Sequence, residues 1–114
     1  MKAVDLLNKV MADARGESAG EAAYLLGTHF FNSKENVKDN KKTALAYYLR
    51  VALLMSGPHG EEAAFRSGQC HEVLGNIEAA RSAFQAYLRR FPTGQFAAAA
   101  KKELESLPSL PQES

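Results

Sequence analysis

The chain repeats itself, and that limits its fold more than any other feature. Glu21-Ala22-Ala23-Tyr24-Leu25-Leu26-Gly27 returns as Glu62-Ala63-Ala64-Phe65-Arg66-Ser67-Gly68, with Glu-Ala-Ala, an aromatic and then Gly three residues on, at a separation of 41. Ala44-Leu45-Ala46-Tyr47-Tyr48 returns as Ala80-Arg81-Ser82-Ala83-Phe84 at a separation of 36. The two separations differ by five, so the first copy carries five extra residues between its halves. A period in this range marks stacked units that bury their apolar faces only against one another.

Each half reads as a helix. Ala22, Ala23, Leu26 and Phe30 follow helical spacing behind a capping box, Ser18-Ala19-Gly20-Glu21, and the helix is expected to reach about Asn32. The polar stretch Asn32 to Asn40 is the expected enlarged turn. A second helix should run from Lys41 to Ser56 with Leu45, Tyr48, Leu49 and Ala52 on one stripe. Gly57-Pro58 breaks it, and Pro58 suits the start of a third helix, to Leu74. Gly75 offers a left-handed stop and Asn76 a cap for the fourth helix, Ile77 to Phe91, whose apolar face holds Ala80, Phe84, Tyr87 and Leu88. Pro92 ends that helix. Thr93 can cap a last helix from Gly94 to Ser106, and the tail from Leu107, with Pro108 and Pro111, should fray. A helix from Lys2 to Ala14, with Val4, Leu7, Val10 and Met11 on one face, precedes the first copy.

The expected fold is therefore all-α: about six helices in antiparallel hairpins, forming one domain over residues 1–106. No run alternates apolar and polar residues as a strand would. At 114 residues and 46% hydrophobic, the chain has enough apolar material for one core.

From Glu61 to Gly94 the sequence resembles a tetratricopeptide repeat. Gly68, Gly75, Ala80, Phe84 and Pro92 match its small residues, second-helix aromatic and late proline. Ala64 and His71 depart from it, standing where that family has aromatics. Residues 18–58 look more like the related Sel-like repeat, with its longer turn, through Ala23, Leu26, Gly27, Ala44 and Tyr48. The stretch Tyr87 to Pro92, followed by Phe96, is also similar to repeats of bacterial envelope-assembly proteins. These resemblances imply a short right-handed superhelix, with a flanking helix over residues 1–15 and a capping helix over 94–106. They also imply a non-catalytic module that binds a partner peptide or helix in a concave groove. The positions matching the groove contacts are Glu21, Tyr24, Thr28 and Phe31 in the first unit and Glu62, Phe65, Gln69 and Glu72 in the second. Spacings of three and four put each set on one helix face. Core packing is the competing role for Tyr24, Phe31 and Phe65.

Other functions find little support. A net charge of +1, from 14 basic and 13 acidic residues, gives no broad field for nucleic acid. Lys41-Lys42, Arg89-Arg90 and Lys101-Lys102 read as short solvated runs. No segment nears the roughly 20 apolar residues of a membrane span. The N-terminal stretch is too charged for a signal peptide. The cytoplasm is the expected compartment, or the periplasm for a domain cut from a longer exported protein. Cys70, the single cysteine, leaves no internal disulfide and reads as a small buried side chain. Cys70 and His71 are adjacent and point about 100° apart on a helix, so they make a poor metal pair, and no four-ligand set, cofactor motif or catalytic motif occurs. Self-association is the alternative function, through the first helix or the alanine face Ala97 to Ala100.

Overall fold

Glycine or proline follows every described helix but the first. The computed structural model describes residues 17–55 and 57–108. These form α1 (Glu17–Phe31), α2 (Val37–Leu54), α3 (Pro58–Val73), α4 (Ile77–Arg90) and α5 (Ala97–Ser106), with no strand among the described residues. The expected helix over Lys2 to Ala14 and the tail beyond Pro108 lie outside them.

Each helix packs on the next, and α1 also touches α3. The pairing is antiparallel. Gly20 lies at Met55, Gly27 at Tyr48 and Phe31 at Lys41 in the first hairpin. Gly68 lies at Phe84, and Glu61 at Tyr87, in the second. The repeat thus has a physical basis: a Cβ on Gly27 would meet the Tyr48 ring at 3.0 Å, and one on Gly68 would meet the Phe84 ring at 2.6 Å. The matched glycines let matched aromatics cross against the helix backbone.

The core has two parts with α3 between them. Ala23, Ala44, Tyr48, Val51, Ala63 and Cys70 form one; Phe65, Ala80, Phe84, Tyr87, Ala97, Ala100 and Leu107 form the other. Tyr48, Phe84 and Tyr87 are at most 1% exposed, and such burial stabilises by about 1.5–3 kcal/mol per large side chain.

Several local expectations are corrected. Ser18 lies within α1 rather than ahead of it. Helix α2 begins at Val37, so the extra residues of the first copy lengthen both the turn and the helix. The turn is closed by Asn40, whose Nδ2 donates to Ser33 Oγ at 2.8 Å and to the Glu35 carbonyl at 2.7 Å. Asn36 takes the left-handed conformation there, at φ 45°, which asparagine tolerates better than most residues. Leu49 is not on the buried stripe of α2, which is Ala44, Tyr48 and Val51. Asn76 and Phe96 hold the N-cap positions of α4 and α5 without a side-chain cap bond, so Thr93 caps nothing. Leu107 is buried in the second core, and the Pro108 carbonyl accepts a bond from Arg81.

Other stops stand as read. Pro58 is in the first turn of α3. Gly75, at φ 82°, closes α3: its N–H donates to the Glu72 carbonyl at 3.1 Å and the Asn76 N–H to the His71 carbonyl at 2.9 Å. These two bonds satisfy carbonyls that the helix end would leave open.

Candidate functional site

Side chains from α1, α3 and α5 meet along one face. Tyr24 on α1 donates to Glu62 Oε1 at 2.8 Å, and its ring stacks on His59 at a centroid distance of 3.9 Å. Burial, and then the Glu62 carboxylate, push the Tyr24 hydroxyl above its ordinary pKa. Thr28 shares a 3.0 Å hydrogen bond with the Tyr48 hydroxyl, which burial pushes up to about 12.

Arg66 occupies the middle of this face. Its Nε lies 3.4 Å from Glu62, one helical turn back, and its Nη1 donates to Gln69 Oε1 at 2.7 Å. Its guanidinium lies 5.2, 5.7 and 5.6 Å from the ring centres of Phe31, Phe65 and Phe96. One arginine thereby touches rings from α1, from α3 and from the turn before α5. Lys41 comes from α2 to stand 3.8 Å over the Phe31 ring, and its ammonium donates to the Phe31 carbonyl. A cation over a ring is worth about 0.5–1 kcal/mol when exposed and more when desolvated.

The row continues to α5. Gln69 Nε2 donates to Glu103 Oε2 at 3.4 Å. Glu72, one turn beyond Gln69, is pushed up to about 7, first by burial and then by the Glu103 carboxylate. A second network fixes α5. Tyr87 donates to Glu61 Oε2 at 2.6 Å and accepts from the Phe96 N–H at 2.8 Å, while Glu61 also accepts from the Gln95 N–H at 2.7 Å.

Of the residues expected to contact a partner, Tyr24, Thr28, Phe31, Glu62, Gln69 and Glu72 are partly exposed and Glu21 is exposed. Phe65 differs. It is 3% exposed and packs on Phe84, Tyr87 and Phe96, so core packing accounts for its ring. The sequence reading missed Arg66, Lys41, His59, Phe96 and Glu103. Arg66 had a signal, since it lies four residues after Glu62 and adjoins Phe65. Lys41 had none, because Lys41-Lys42 looks like a solvated run.

Elsewhere the chemistry is quiet. Cys70 is fully buried, and burial pushes its thiol up to about 11. Among the described residues no three His, Cys, Asp or Glu side chains gather as metal ligands, and no helix is long and apolar enough to cross a membrane. Ala97 and Ala100 are spent inside the domain, leaving Ala98 and Ala99 exposed. No family model, curated protein or solved structure matches the chain.

Proposed function

We propose that the chain is a non-catalytic protein-interaction module of the tetratricopeptide and Sel-like kind, which holds an extended segment or a helix of a partner across the α1–α3–α5 face. The observation that carries this is Arg66, held by Glu62 and Gln69 amid the Phe31, Phe65 and Phe96 rings. Around it Tyr24, Thr28, Phe31 and Gln69 are partly exposed and already anchored. Anchored aromatic and arginine side chains lose little freedom on binding, and such groups dominate interface energetics. The test is capture from native extract, followed by mass spectrometry. Phe31→Ala combined with Arg66→Ala should remove one or more of the partners captured by the unaltered chain while far-UV circular dichroism stays the same. An unchanged set of partners would overturn the proposal.

A further inference from the structure

Helix α2 carries a line of leucines that continues past what its place in the fold requires. Leu45, Leu49 and Leu53 follow one another at steps of four. Leu45 is half-buried, Leu49 is 48% exposed and Leu53 is 87% exposed. Steps of four keep them near one edge of the helix; Leu45 packs against the core that holds Ala44, Tyr48 and Val51, and Leu49 and Leu53 run out from it into solvent. Exposed lysines, Lys38 and Lys42, extend the same edge toward the N-terminus of α2. From Lys38 to Leu53 the line runs about 22 Å at the usual helical rise.

The second copy provides an internal control. At the repeat separation of 36, Leu45, Leu49 and Leu53 correspond to Arg81, Gln85 and Arg89 on α4, and Lys42 corresponds to Glu78. The same place in the sibling helix is thus polar, and acidic opposite Lys42, while Lys38 corresponds to Leu74, ahead of α4. Single exposed leucines are ordinary, but two in line, continuing from Leu45 where the repeat otherwise puts polar groups, are not. The lysines do not serve the helix either, because cations near a helix N-terminus oppose its dipole.

We propose that this edge of α2 docks a helix of a partner protein with an acidic end set against Lys38 and Lys42 and an apolar stripe set against Leu45, Leu49 and Leu53. Charge complementarity selects this occupant. A second copy pairing through the same edge would set lysine against lysine when parallel, or seat ammonium groups on leucines when antiparallel. Lying in an anionic membrane surface would favour a polar border free of carboxylates, whereas Asp39 stands exposed between the two lysines and Arg50 is the cation nearest Leu53. This surface shares no residue with the α1–α3–α5 face and does not depend on the role of that face.

The test uses the full chain and two labelled, stapled helical peptides. Each carries leucines at steps of four and glutamates at one end, N-terminal in one and C-terminal in the other. Fluorescence anisotropy should show one of them binding, with an affinity that falls as salt rises. Leu49→Ser with Leu53→Ser should weaken it roughly tenfold or more. Lys38→Glu with Lys42→Glu should also weaken it and should transfer binding to a peptide with lysines in place of the glutamates. The same variants leave the α1–α3–α5 face intact, so partner capture there should not change. The proposal fails if neither peptide binds, if the variants bind as well as the unaltered chain, or if charge exchange brings no transfer. It also fails if the leucines instead drive binding to phosphatidylserine vesicles, or a concentration-dependent dimer seen by sedimentation.

Discussion

Replacing Gly68 by alanine tests whether the repeat is a packing device. A Cβ at Gly68 would lie 2.6, 2.8 and 2.8 Å from three atoms of the Phe84 ring. That ring is fully buried and bounded by Phe65, 5.6 Å away between centroids, so it has little room to retreat. Alanine gains about 1 kcal/mol over glycine inside a helix, while overpacking of a well-filled core costs about 1–3 kcal/mol. With three ring atoms inside contact distance the cost belongs near the upper end. The net loss is then about 2 kcal/mol, which for a domain near this size lowers Tm by about 10 °C. At Gly27 the closest Tyr48 atoms lie at 3.0 Å, so a shift of a few tenths of an ångström suffices and Gly27→Ala should stay within about 1 kcal/mol of the unaltered chain. Urea unfolding followed by circular dichroism measures both. Leucine at position 84 makes room, so the pair Gly68→Ala and Phe84→Leu should be favourably coupled by at least about 1 kcal/mol in a double-mutant cycle. A Gly68→Ala protein as stable as the unaltered one would refute the close crossing.

Other consequences follow from the networks around α5 and from the buried thiol. Tyr87→Phe leaves the Phe96 N–H and the Glu61 carboxylate without their shared hydroxyl; it should cost about 1–3 kcal/mol, and hydrogen exchange should show α5 opening before the other described helices. Glu72 has a folded pKa of about 7 against an ordinary 4.5, so the folded state holds its proton more tightly and the Glu72 contribution to stability falls as pH rises from about 4.5 to 7. His71, lowered by burial, acts in the opposite sense below its ordinary 6.5. The stability of the unaltered chain relative to Glu72→Gln should therefore drop between pH 5 and pH 8, as read by thermal melts, and a constant difference would contradict the raised Glu72 pKa that burial, and then Glu103, produces. Cys70 should react with a thiol reagent at neutral pH only as fast as the domain opens, and its labelling rate should rise with urea in step with unfolding.

What the sequence made legible was the part governed by period and punctuation. The spacing of Ala80, Phe84 and Tyr87 marked a buried face because every third or fourth residue of a helix returns to the same side. Gly57-Pro58 and Gly75 marked boundaries because few other residues suit those conformations. The caps were less legible. Asn76 and Thr93 are good capping residues by type, yet neither bonds a free N–H, because tertiary packing set the helix ends. Leu49 shows a different limit. A leucine at helical spacing reads as core, but the buried arc of α2 is narrow and Leu49 falls beyond it. In the candidate site, the resemblance to the repeat family picked out the α1 and α3 positions, and the helical period supported only that each set shares one helix face. It could not find Lys41, Phe96 or Glu103, which reach the face from other elements. Nor could it separate Phe65 from Phe31: both are aromatics on first helices of the repeat, and only the approach of α4 and of the turn before α5 buries the former.

The central claim is that the α1–α3–α5 face binds a protein segment, and selection from a displayed peptide library against the full chain tests it most directly. The account predicts that the Leu49→Ser, Leu53→Ser variant, in which the α2 edge is disabled, still enriches a sequence motif, that the selected peptide slows hydrogen exchange in α1 and α3, and that adding Phe31→Ala and Arg66→Ala, with the fold retained by circular dichroism, abolishes that enrichment. Enrichment of that motif that survives the loss of Phe31 and Arg66, or no enrichment by the Leu49→Ser, Leu53→Ser variant, would contradict it.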